Sequence, residues 1–279
     1  MKYQLIRNAT SRLSYAGSVF LLDPAFAKKG TGPSYAGERR SPLVDMPCTM
    51  REAGSRTDAV VISHIHSDHF DAAAAEALDK DHPVFCQPSE AGHELLAGFE
   101  DVRPLVERGL FRGVTMQRVP ARHGTSPEVL ADMGEASGIV FSAAGEPTVY
   151  WAGDTLWYEA VKHAIDVFMP EVIIVHAGGA LWNGELIVMD AAQVIEVCKA
   201  APNAKVIAIH MESCDHCTVT RKSLRETADA AGVSPEQLLI PKDSEEIVIL
   251  RETAFWIKED NMRRLGEHVR SNQLLENGK

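Results

Sequence analysis

The chain of 279 residues, 45% hydrophobic and 24% charged, has the composition of a globular protein long enough to bury a large core, and one domain over 1–279 is the simplest expectation. Its formal net charge of -11 disfavours nucleic acid as a partner, since the short basic spots at Lys28-Lys29 and Arg39-Arg40 do not offset it. No run of about 18 apolar residues suggests a membrane span, and five scattered cysteines argue for a reducing, cytoplasmic location without a disulfide framework.

In chain order, Met1 to Asn8 alternates as a strand, and Ser18 to Leu22 is a second short β-branched and aromatic run. Residues Ala27 to Arg56, rich in Gly, Pro, Ser and charge, read as a long loop over something functional. Strands follow at Ala59 to Ile62, Val84 to Cys86, Val114 to Val119, Gly138 to Ser142, Thr148 to Trp151, Val172 to Val175, Val206 to Ile209 and Glu246 to Leu250. Helices are expected at Ala72 to Leu78, Glu90 to Leu96, Leu156 to Ile165, Asp190 to Lys199, capped by Asp190, and Arg221 to Ala231. Ser234-Pro235-Glu236 reads as a turn, and a polar tail begins at about residue 258. Strands that pair early and alternate with helices later predict a layered α/β fold.

The chemistry concentrates in Ser63-His64-Ile65-His66-Ser67-Asp68-His69, directly after the apolar run Val60-Val61-Ile62. In extended backbone, residues two apart project the same way, so His64 and His66 can converge on one cation. Asp68 and His69, at the turn into the next helix, point toward a neighbouring position. Packing alone does not call for four such groups in six positions, whereas imidazole with carboxylate suits a borderline divalent metal.

His-x-His-x-Asp-His after a strand resembles the signature of the metallo-β-lactamase superfamily. The resemblance implies a four-layer αββα sandwich with metals at one edge between the sheets, and further ligands at strand ends. His123, in Ala121-Arg122-His123-Gly124, matches the histidine that completes the first metal's set with His64 and His66. Asp154, in Ala152-Gly153-Asp154-Thr155, matches the carboxylate that bridges two metals, and His210, after Val206-Ile207-Ala208-Ile209, matches the ligand that joins Asp68 and His69 on the second. The implied cofactor is two divalent metal ions, zinc first, with manganese or iron as alternatives. Asp23, in Leu21-Leu22-Asp23-Pro24, falls where the family has an aspartate that supports a ligating imidazole, although a turn-forming Asp-Pro reads equally well.

The implied activity is hydrolysis of a small ester, lactone or phosphate-containing molecule by a hydroxide shared between the metals, with Asp68 aligning it. His176, His216 and Tyr158 are candidates for the acid that meets the leaving group, and Trp157, Tyr158 and Trp182 for pocket walls. Cys214-x-x-Cys217 lacks the second pair or thioredoxin-like context of a zinc or redox motif. The Gly153-Asp154-Thr155 step and Leu186-Ile187-Val188-Met189 are similar to the branch that includes L-ascorbate-6-phosphate lactonase, from which His176 departs. The expected partner is a small-molecule substrate, and homo-oligomerisation stays open. A metal-bound redox or sensor protein on the same scaffold is the alternative; those branches replace a motif histidine with Glu and append a flavin domain, and neither feature occurs in this chain.

Overall fold

Period-two alternation in the short apolar runs sends successive side chains to opposite faces of a sheet, and in the computed structural model most of these runs have both faces covered. The structure describes residues 1–250. Met1–Ile249 forms one compact unit; the tail expected from about 258 lies outside the described residues.

In chain order the strands are β1 (Lys2–Arg7), β2 (Thr10–Tyr15), β3 (Ser18–Leu22), β4 (Ala59–Val61), β5 (Val84–Cys86), β6 (Val102–Pro104), β7 (Arg108–Phe111), β8 (Val114–Pro120), β9 (Ser137–Ser142), β10 (Val149–Trp151), β11 (Val172–His176), β12 (Leu181–Trp182), β13 (Glu185–Leu186), β14 (Lys205–Ile209), β15 (Leu238–Leu239) and β16 (Glu246–Val248). The helices are α1 (Met50–Gly54), α2 (Ala72–Ala77), α3 (Pro127–Met133), α4 (Glu159–Phe168), α5 (Ala191–Ala200) and α6 (Arg221–Ala230). One seven-stranded sheet runs β16-β1-β2-β3-β4-β5-β6 and the other β15-β14-β11-β10-β9-β8-β7, with β12 and β13 as a separate ribbon. Each sheet changes from antiparallel to parallel partway, at β3/β4 in the first and β10/β11 in the second.

The alternation sorts the core into three slabs. Val61, Phe20, Leu22, Trp151, Ile174, Ile207 and Ile209 meet between the sheets. Tyr150, Ile173, Val175, Val206 and Ala208 face the other way, against Val161 and Ile165 of α4, Val194 and Val197 of α5 and Leu224 of α6. Val60, Val84 and Leu21 pack against Ala74 of α2 and Ala53 of α1. The result is the expected αββα sandwich, held by apolar burial worth about 1.5–3 kcal/mol for each fully buried large side chain.

Several expectations change. Glu90 to Leu96 is two 3-10 turns, Pro88–Glu90 and Glu94–Leu96, because Gly92 separates them and His93 caps the second by accepting from the Leu95 N–H. The helix expected at Leu156 begins at Glu159, since the Trp157 N–H is taken by the Gln193 side chain. The long loop contains α1, closed by a Thr49/Glu52 capping box. Asp190 caps α5 by accepting from Gln193 N.

Candidate metal centre

Strands β4, β8, β10, β11 and β14 end on the same edge, so the residues that follow them converge. His64, His66, Asp68 and His69 lie beyond β4, His123 beyond β8, Asp154 beyond β10 and His210 beyond β14. Gly153, at φ 66°, makes the turn from β10 into Asp154 possible: a Cβ there would stand 2.6 Å from the Ser137 carbonyl oxygen. Asp23 and His210 hold left-handed φ values of 42° and 64°, the kind of strain that concentrates at functional sites.

All seven expected ligands come together. Donor atoms of His64, His66 and His123 lie within 4.8 Å of one another, and so do those of His69, Asp154, His176 and His210. Asp154 Oδ2 stands between the two groups, 3.2 Å from His69 Nε2, 3.5 Å from His123 Nε2 and 4.0 Å from His64 Nε2. His64 Nε2 and His66 Nδ1 are 2.9 Å apart, and His210 Nε2 is 3.1 Å from both His69 Nε2 and Asp68 Oδ2. Ligands about 2.1 Å from a tetrahedral ion stand roughly 3.4 Å apart, so this donor set fits cations of that size.

The outward nitrogens strengthen the fit. His69 Nδ1 meets Asp23 Oδ2 at 2.7 Å, His123 Nδ1 meets the Ile187 carbonyl at 2.8 Å and His64 Nδ1 meets Ser63 Oγ at 3.0 Å. An Nδ1–H given to an oxygen leaves the Nε2 lone pair free toward the centre, the arrangement of metal-ligating imidazoles. Asp23 is completely buried and also accepts from Ser63 N and Ser63 Oγ, each at 2.7 Å.

Electrostatics divide the centre. Burial and neighbouring imidazoles hold His64 well below the usual histidine range, and burial pushes His123 down to about 4, so both are neutral donors. Burial also opposes charge on His69 and His210, but Asp154 and Asp68 overcome it, raising His69 to about 10 and His210 well above the ordinary value, so each ring holds a second proton on the nitrogen facing the centre that a bound cation would displace. Burial pushes Asp68 and Asp154 up, yet the adjacent imidazoles hold both well below the carboxylate range. Asp23, Asp68 and Asp154 thus gather three carboxylates in a mostly enclosed space, which favours cations.

His176 does not fit the expected acid role. Its Nε2 accepts from the Trp151 indole at 3.2 Å, so Nδ1 carries the proton and donates to Asp154 Oδ1 at 2.5 Å; both nitrogens are committed and the ring is buried. Among the described residues His216 has no hydrogen-bond partner at its buried Nδ1, and its ring lies 4.6 Å from that of Tyr35. The Tyr158 hydroxyl donates to the Pro120 carbonyl, and Trp182 Nε1 donates to Asp132 Oδ2. All five cysteines are free thiols. Cys214 Sγ lies 3.5 Å from Asp68 Oδ2, and Cys217 Sγ lies 3.9 Å from His210 Nδ1.

Other supporting groups escape a motif reading. Asn8, in a hairpin turn at φ 57°, donates from Nδ2 to Asp68 Oδ2 at 3.3 Å and accepts the His210 N–H at its backbone carbonyl, 3.2 Å away. Gln87 donates to the Ser63 carbonyl at 2.8 Å. A hairpin Asn is a visible turn signal, but nothing local shows what its amide touches.

Comparisons with known proteins agree with this geometry. A family model described as a beta-lactamase superfamily domain matches residues 19–211. The chain is 37% identical over 252 residues to the UPF0173 protein YddR of Bacillus subtilis, covering 88% of this chain and 98% of that one. A possible metal-dependent hydrolase from Veillonella parvula superposes with TM-score 0.86 at 35% identity over 89% of this chain and 99% of the other. An isothiocyanate hydrolase from Delia radicum gut bacteria superposes with TM-score 0.84 at 33% identity, again over 89% and 99%.

Proposed function

The chain belongs to the beta-lactamase superfamily and, within it, to the UPF0173 metal-dependent hydrolases, and from that premise we propose that it uses two divalent cations, zinc first, to hydrolyse a small neutral electrophile in the cytoplasm. The observation that carries this reading is the convergence of His64, His66, His123, Asp154, His69 and His210 with Asp68 beside His210, the outward nitrogens of His64, His69 and His123 each meeting an oxygen. Held by His64, His66 and His123 on one side and Asp68, His69 and His210 on the other, with Asp154 between, such ions would supply Lewis acidity that makes water nucleophilic near neutral pH.

The chain's own groups do the rest. Asp68 is fixed by Asn8 Nδ2 and Cys214 Sγ, which suits it to hold and aim the attacking water. His176 keeps Asp154 oriented, and His216 takes the role of proton donor to the leaving atom. The substrate class favoured over an ester, lactone or phosphate is an isothiocyanate, on the strength of the 33%-identical isothiocyanate hydrolase. In that reaction the water oxygen bonds to the central carbon, the carbon–nitrogen bond breaks and both water hydrogens end on nitrogen, giving an amine and carbonyl sulfide.

The test is amine release from benzyl isothiocyanate by zinc-, manganese- or iron-reloaded protein, beside an ester, a lactone and a phosphodiester. Turnover should disappear in Asp68→Asn and His66→Ala while circular dichroism stays native. Turnover retained in both variants would overturn the reading.

A further inference from the structure

The segment between Gly32 and Ser41 closes on itself, with Gly32 N donating to the Ser41 carbonyl and Ser41 N to the Pro33 carbonyl, each at 2.7 Å. Its crown, residues 33–39, is a strap fastened by one side chain from the loop that follows the His210 ligand. The Asp215 carboxylate accepts from Ser34 Oγ at 2.6 Å and from the backbone N–H groups of Tyr35, Ala36, Glu38 and Arg39 at 2.8, 3.1, 3.3 and 3.1 Å. Tyr35 ties the strap to the other ligand loop: its hydroxyl is 2.7 Å from Ser67 Oγ, between His66 and Asp68.

The residue after Asp215 is His216. Its carbonyl accepts from the Leu181 N–H at 3.1 Å, so the backbone here is pinned between β12 and the strap. The ring has no such fastening: its Nδ1 is buried without a hydrogen-bond partner among the described residues. An imidazole left unbonded is kept in one rotamer by packing alone. The aromatic face against it is that of Tyr35, with ring centroids 4.6 Å apart and planes tilted by 39°. Tyr35 cannot swing aside with it, because its N–H is committed to Asp215 and its hydroxyl to Ser67.

We infer that Tyr35 is a positioning residue: anchored at both ends by the two ligand loops, its ring is the wall that holds the His216 imidazole in place for proton transfer to the leaving atom. The proton transfer rests on the hydrolase reading above, whereas the holding does not. Burial keeps His216 below the ordinary histidine range; of the charged groups around it, Asp68, Asp154 and Asp215 favour its proton and His210 opposes it. Tyr35→Ala uncovers the ring and frees it to turn. Tyr35→Phe keeps the wall and loses only the bond to Ser67.

Two measurements test it, each with folding checked by circular dichroism. The first is NMR of the zinc-loaded protein carrying 13C-labelled histidine, with the His216 signal assigned by its absence from His216→Gln. Tyr35→Ala should move that signal and raise its titration toward the ordinary range, and Tyr35→Phe should restore both; a signal and titration indifferent to Tyr35→Ala would overturn the inference. The second is steady-state turnover of benzyl isothiocyanate. His216→Gln should lower kcat about a hundredfold and Tyr35→Ala about tenfold, the latter with KM unchanged. In the His216→Gln background Tyr35→Ala should cost nothing further, and the same tenfold loss there would overturn the inference. A moved His216 signal beside full turnover by His216→Gln would support the wall and sink His216 as proton donor. The same movement without isothiocyanate turnover by the wild type would support the wall and sink the isothiocyanate reading.

Discussion

Asp23→Asn isolates how the centre is set for metal. Asp23 tolerates φ 42° as aspartate, and asparagine tolerates it equally, so the backbone is unperturbed. One oxygen remains for Ser63 N, but an amide NH2 replaces Oδ2, where Ser63 Oγ and His69 Nδ1 both donate at 2.7 Å. The serine hydroxyl can rotate and accept. The imidazole can accept only by moving its proton to Nε2, which faces Asp154 at 3.2 Å and His210 at 3.1 Å, and that proton occupies the lone pair a cation needs. Loss of such a supporting contact costs about 10- to 100-fold in metal affinity, or about 1.4–2.8 kcal/mol. Zinc titration against a chromophoric chelator at pH 7.5 should show that loss in Asp23→Asn. Wild-type affinity in that variant would refute the tautomer argument.

Three further outcomes follow from individual contacts. His176→Phe keeps the ring volume but neither nitrogen, so metal affinity should fall about tenfold as Asp154 loses its donor, while the alkaline limb of the pH–rate profile persists; loss of that limb would return His176 to the acid role. Burial, opposed by the Ile65 N–H and reinforced by Asp23, raises the Glu90 carboxyl from 4.5 to about 7, so the folded chain keeps a proton that the unfolded chain releases; stability should fall as pH rises across that window and level off above it. Thermal melts of Glu90→Gln should lack that decline, and an unchanged slope would refute the assignment. Asp215→Asn should speed trypsin cleavage after the exposed Arg39 and Arg40 roughly fivefold, since the strap loses the charge behind its hydrogen bonds; equal cleavage rates would remove Asp215 as its fastening.

The fold and the convergence of the candidate ligands are legible for one reason: both depend on local pattern. A β-branched run with period two becomes a strand wherever its two faces are covered, and a ligand placed just after such a run is carried to the strand's end by the chain itself, as Ile62 carries His64 and Ile209 carries His210. Other local elements carry their own short signals: Thr49-x-x-Glu52 before α1, Ser126-Pro127 before α3, and Gly92 between the two 3-10 turns. The supporting groups are a different case, because their meaning lies in contacts between distant segments. Asn8 reaches Asp68 across 60 positions, and Asp215 reaches Ser34 across 181. Tyr35 sits in a stretch with no periodicity, yet its hydroxyl and ring are fixed by Ser67 and His216, one from each ligand loop. Chemistry held by strand ends can therefore be read from one sequence, while the placing of a ring by a strap between loops becomes readable only once folding has brought the strap its fastening, Asp215.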